Sequence, residues 1–138
     1  MTSTHRRKLI HTEIMPIRWG DMDAMGHVNN TLYFRYIEQA RISWFDSLGL
    51  RSLINGEGPS LINTSCTFLK QLSYPGTVEI RTYSGEVGRS SVTTYIEIRP
   101  SYDPDVVYAE GSAKIVWVDY IRGKSVPLPE KMRSVVEH

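Results

Sequence analysis

An α+β fold, with one long helix packed on an antiparallel sheet, is what this 138-residue sequence predicts. Three observations carry that expectation. The elements arrive as a strand, a helix and then four strands, an order that segregates the helix to one face of a sheet. Apolar residues Tyr33, Tyr36, Ile37, Ala40, Trp44, Phe45 and Leu48 recur at three- and four-residue steps, which gives a helix a broad buried stripe. The second half is rich in β-branched and aromatic residues, broken by turn signals at Tyr74-Pro75-Gly76, Gly88 and Asp103-Pro104-Asp105.

The first strand is expected over Thr12 to Trp19, where the sequence alternates loosely, with Pro16 marking an edge or a bulge. A polar turn, Gly20 to Asn30, follows; Gly, Asp and Asn form such turns readily. Asn29 or Asn30 can cap the helix, because an asparagine oxygen accepts a bond from a free N–H in the first turn. Gly49 supplies a stop. A connection over Arg51 to Pro59 leads into strands at Ser60–Leu72, Thr77–Val87, Ser91–Arg99 and Val106–Asp119. A 10-residue strand spans roughly 33 Å. An 18-residue helix is about 27 Å long, so one helix matches the width of a curved sheet that wraps it. The tail Val126-Pro127-Leu128-Pro129 is expected to be extended before a short charged end.

Length and composition suit one domain, with Met1 to His11 as a flexible basic arm. Sixteen basic against fifteen acidic residues leave a formal charge of +1, which gives no broad field for nucleic acid or an anionic membrane. The single cysteine, Cys66, allows no intrachain disulfide and suits a reducing compartment such as the cytoplasm. On its strand it is expected to be a small apolar filler. No run approaches the roughly 20 apolar residues that span a bilayer. His5, His11, His27 and His138 lack metal-ligand spacing, and neither HExxH nor a Gly-x-Ser-x-Gly elbow is present, which argues against a metal site and a serine hydrolase.

Chemistry concentrates in Asp21-Met22-Asp23-Ala24-Met25-Gly26-His27-Val28-Asn29-Asn30, just before the helix. A helix start offers unpaired N–H groups and about half a unit of positive charge, which stabilise a developing oxyanion. A carboxylate beside it can activate water or attack an acyl carbon. Asp23 is the candidate, with the alternative that it merely closes its turn through backbone N–H groups. Asp21, beside the strand end, suits a structural role instead, in a turn or in an ion pair with Arg18. His27 can orient the carboxylate, hold water or exchange a proton, or simply close the turn. In Gly85-Glu86-Val87-Gly88-Arg89-Ser90-Ser91 an arginine and two hydroxyls sit in a glycine-flanked turn, able to hold phosphate or to serve as a plain hairpin.

Taken together, Arg18 to Asn30 followed by Tyr33, Tyr36, Glu38, Ala40 and Arg41 resembles the hotdog-fold acyl-CoA thioesterases of the 4-hydroxybenzoyl-CoA thioesterase type, over nearly the whole chain. The resemblance implies a hotdog fold and hydrolysis of an acyl-CoA to free acid and CoA without a cofactor. It makes Asp23, the second aspartate of the pair, the nucleophile or general base. The N–H of Asn30 or its neighbour polarises the carbonyl. It also implies a homodimer whose sheets join edge to edge, or a tetramer, with the acyl pocket between subunits. Asn29, Tyr33, Arg89 and Ser90 are then expected at the substrate, with Arg89 facing a CoA phosphate and reaching as far as a neighbouring subunit's site. His27, Asn29 and Asn30 stand where the 4-hydroxybenzoyl enzyme has apolar and aromatic residues, so the reaction is shared and the substrate is not. In another branch of that superfamily the acting carboxylate is a glutamate about two turns into the helix, near Glu38 here. The simpler role of Glu38 is an ion pair with Arg35 or Arg41. Competing readings are an acyl-CoA-binding module without turnover and a hydratase or dehydratase on the same fold. Acyl carrier protein is an alternative thioester donor.

Overall fold

A computed structural model describes residues 7–50 and 52–137. Strand β1 (Leu9–Pro16) leads through a 3-10 turn (Trp19–Asp21) into helix α1 (Asn30–Ser47). Strands β2 (Glu57–Phe68), β3 (Thr77–Val87), β4 (Ser91–Pro100) and β5 (Ala109–Asp119) follow, then the short β6 (Lys124–Ser125) and helix α2 (Glu130–Val136). The sheet is antiparallel in the order β1-β3-β4-β5-β2, with β6 alongside β5. This is the expected α+β arrangement of one long helix wrapped by a sheet.

Helix α1 has 18 residues and buries Tyr33, Tyr36, Ile37, Ala40, Trp44 and Phe45, the stripe read from the sequence except for Leu48, which is the half-buried C-cap. Its first half packs with Ile80, Ile96, Ile98 and Tyr108; its second half, with Val92, Ile115, Trp117, Met132 and Val136, forms a second core. The helix lies close to the sheet at Gly111. A Cβ there would meet Ser65 O at 3.0 Å and Ile37 Cδ1 at 3.2 Å, so only glycine leaves room for the helix.

Several boundaries differ from expectation. The first strand runs Leu9–Pro16 rather than Thr12–Trp19, because Trp19 to Asp21 turns back through bonds from Asp21 N to Arg18 O and from Met22 N to Trp19 O. Three residues of the expected basic arm are thereby sheet, and residues 1–6, including His5 and Arg6, lie outside the described residues. So do Arg51 and His138. The β2 strand begins at Glu57, inside the stretch assigned to a connection, since pairing with β5 supplies ladder partners from Asp119 onward. The charged tail forms a helix, α2, whose Met132 and Val136 are buried one turn apart. No helix among the described residues is long and apolar enough to cross a membrane.

Candidate active site

The segment between β1 and α1 is fixed from three sides. Val28 N donates to Leu72 O (2.8 Å), Asn29 N to Asp21 O (2.9 Å), and Met22 and Val28 form an antiparallel bridge. Asp21 is buried. Its Oδ2 accepts from Tyr36 Oη at 2.7 Å and from the backbone N of Arg18 at 2.9 Å, so the carboxylate ties the turn to α1. Burial, and then the bond to Asp21, push the Tyr36 hydroxyl well above the ordinary phenol range. Asp21 thus has the structural role of a turn residue, held by the main chain of Arg18 and the hydroxyl of Tyr36; an ion pair with the Arg18 guanidinium is not formed among the described residues.

Asp23 closes its own turn. Its Oδ1 accepts from Met25 N (2.8 Å) and His27 N (3.3 Å), and its main chain pairs with His27 O (2.7 Å) and Gly26 N (3.1 Å). Gly26 takes φ +80 there, a conformation that favours glycine. The Asp23 side chain is exposed and does not line either of two cavities found beside α1 among the described residues, while its Oδ2 has no partner among those residues. His27 is half-buried, and its ring is likewise without a hydrogen bond among the described residues.

Asn29 is the helix cap: its Oδ1 accepts from Thr31 N at 3.0 Å and from Thr31 Oγ1 at 2.9 Å. Asn30, the first residue of α1, has an N–H with no partner among the described residues, as expected of an orphan donor at a helix start. Tyr33 is buried, stands edge-on to Phe68 and accepts from Leu72 N at 3.0 Å, so its hydroxyl is committed to holding the loop after β2.

Glu38 occupies a different position. It lines both cavities along α1. One, of about 530 Å3, opens toward β1 and includes Glu13, Arg18, Asp21 and Tyr36; the other, of about 640 Å3, opens toward β2 and includes Thr31, Phe34, Ile37, Arg41, Leu61 and Thr64. Its carboxylate meets Arg35 Nη1 at 3.4 Å, an exposed pair of small energetic value. Arg41 is half-buried in the larger cavity; burial lowers its pKa and the nearby Glu38 charge opposes the shift.

The site residues therefore fall into two groups. Asp23, His27, Asn29 and Asn30 share the turn at the start of α1. Arg89 and Ser90 lie in the β3–β4 turn, at the other end of β3 from Gly76, which bonds Ile17 beside that turn. Eleven residues at about 3.3 Å each separate the ends by roughly 35 Å. A single chain does not bring the groups together. Cys66 is half-buried, with its thiol pushed up to about 11 by burial, which makes it a poor nucleophile.

The chain is similar in structure to the PA2801 protein of Pseudomonas aeruginosa, a thioesterase by designation, with 42% identity and a TM-score of 0.89 over 92% of this chain and 98% of that one. It shares its fold with Slr0204, a 1,4-dihydroxy-2-naphthoyl-CoA thioesterase from Synechocystis (18% identity, TM-score 0.82, 93% and 98% covered). In sequence it is 28% identical to YsmA of Bacillus subtilis over 127 residues, 88% of this chain and 82% of that protein. Residues 17–136 match the thioesterase-like superfamily, and with the helix, sheet and turn described above the chain belongs to that family and has its hotdog fold.

Proposed function

We propose that this protein hydrolyses an acyl-CoA thioester, with Glu38 as the general base or nucleophile and the N–H of Asn30 from a second copy of the chain polarising the carbonyl. The observation that carries the reading is the position of Glu38 on both cavities beside α1, whereas the carboxylate of Asp23 closes a turn and lines neither. A thioester carbonyl is already activated, so a carboxylate with one or two aligned donors suffices, without a serine triad. The carboxylate either takes a proton from water as it attacks the acyl carbon, or attacks directly to give a mixed anhydride that water then cleaves; the thiolate of CoA leaves and is protonated.

Distance supports a second copy. Glu38 lies eight residues beyond Asn30, or about 12 Å along the helix axis, too far for both to touch one carbonyl. Two antiparallel helices related by a two-fold axis can set the start of one against the middle of the other. The far edge of β2, with exposed Leu61, Ile62 and Phe68 and a neighbouring exposed Phe34, supports such pairing, since a long apolar edge strand is an association site. A homodimer is the assembly proposed. Slr0204 is described as acting on an aromatic acyl-CoA, and a cavity with Phe34, Ile37 and Leu61 beside Thr31 and Thr64 is compatible with a ring or a medium chain.

A second reading keeps Asp23 as the acting carboxylate; its Oδ2, unpartnered among the described residues in the turn that opens α1, favours it. Glu38→Gln and Asp23→Asn, assayed for thiol release on a panel of acyl-CoA esters, separate the two. The proposal expects Glu38→Gln to lower kcat at least about 100-fold and Asp23→Asn to cost much less. The reverse pattern transfers the role to Asp23, and wild-type protein that cleaves no CoA ester removes the function itself.

A further inference from the structure

The β3–β4 turn is held more firmly than an exposed hairpin tip requires. All three of its carbonyls are taken. Arg133 Nη2 donates to Gly88 O at 3.0 Å and to Arg89 O at 2.8 Å, Leu128 N also donates to Arg89 O at 3.0 Å, and Trp117 N donates to Ser90 O at 2.8 Å. The other end of the guanidinium is steadied by Glu137, at 2.9 Å from Nη1. Helix α2 is in turn anchored by buried Met132 and Val136 and by Lys8 of the segment entering β1, whose Nζ donates to Val135 O at 2.8 Å. Water satisfies carbonyls at an exposed turn at little cost. The clamp therefore adds direction rather than rescuing unpaired groups.

What the clamped turn presents is one exposed guanidinium, that of Arg89, whose only bond among the described residues is to the adjacent Ser90 Oγ at 3.2 Å. The geometry points to Arg133 as a positioning residue: through α2 it fixes the backbone of residues 88–90 so that Arg89 is aimed at an anionic ligand group, here a phosphate of CoA. Guanidinium–phosphate recognition depends on the direction of a planar fork, and a fork on an unfixed turn loses binding energy to ordering. The inference rests on the acyl-CoA reading above and assigns a ligand-binding task to the carboxy-terminal helix, which lies outside the cavities along α1.

Calorimetric binding of CoA and of pantetheine, which lacks the nucleotide and its phosphates, tests this on the full-length protein. Arg133→Met is expected to weaken CoA about tenfold, the loss of roughly one charge-assisted bond, and to leave pantetheine within about twofold. Arg133→Lys keeps the charge and loses the fork, so CoA stays weakened; Arg89→Ala gives a CoA-selective loss at least as large. If Arg133→Met proves too unstable, Glu137→Gln, which frees the clamp without touching the turn, is expected to give a smaller loss of the same selectivity. Equal weakening of both ligands, or of neither, would reduce Arg133 to a staple for α2. Wild-type affinity in Arg133→Lys would assign the effect to charge and overturn the positioning role. An Arg89→Ala variant with unchanged CoA affinity removes the phosphate contact and the inference with it, while a wild type that binds no CoA fails the functional reading itself.

Discussion

A site shared between two copies can be dissected with one substitution in each. Asn30→Pro deletes the N–H at the first position of α1 and nothing else in the backbone ladder, because that N–H has no intrahelical partner. The helical φ suits proline, and Asn29, at φ −59 and ψ 137, already has the extended conformation that a residue before proline takes. Loss of one oxyanion donor is expected to lower kcat by on the order of 100- to 1000-fold, and on the proposal Glu38→Gln is expected to lower it comparably through loss of the carboxylate. In the proposed arrangement, the two groups of one chain being about 12 Å apart along α1, each site takes its N–H from one chain and its carboxylate from the other. Co-expression of the two variants with different tags, followed by two-step purification, gives the heterodimer. One of its sites carries both lesions and the other neither, so thiol release is expected at about half the wild-type rate per dimer, far above either parent. A heterodimer as inactive as its parents would put both groups of a site in one chain and refute the shared arrangement.

Two further outcomes follow from the geometry. Tyr36→Phe deletes the bond to buried Asp21 and is expected to cost about 1.5–3 kcal/mol, as for a bond to a charged group. For a chain of this length that lowers Tm by roughly 5–10 °C; a shift below about 2 °C in a thermal melt would mean that water replaces the hydroxyl. Cys66, with its thiol pushed up to about 11 from 9.0, is expected to react with an aromatic disulfide at pH 8 on the order of 100-fold more slowly in the native protein than in denaturant, following its thiolate fraction. Equal rates in the two states would show the thiol to be solvated.

Periodicity made the long elements legible. The α1 stripe and the β3 strand appear where the pattern put them, and the cap falls on Asn29, one of the two asparagines it offered, because apolar spacing and turn chemistry act over a few residues. Boundaries slipped where tertiary pairing decided. The first strand starts three residues early because β3 offers it partners, and β2 extends back to Glu57 for the same reason along β5. Helix α2 was missed although Met132 and Val136 have helical spacing after Pro129; seven residues are too few to be helical without a sheet to cover them. Arg133, and with it the clamp on the β3–β4 turn, went unseen for that reason.

The sequence alone determined the fold class, the capped helix and the concentration of polar groups before it, because each depends on near neighbours. Tertiary structure decided how each carboxylate is placed: Asp23 spends its Oδ1 on its own turn, while the packing of α1 between β1 and β2 leaves Glu38 on two cavities beside the helix. That difference depends on where side chains point once the helix is docked, which no local pattern encodes.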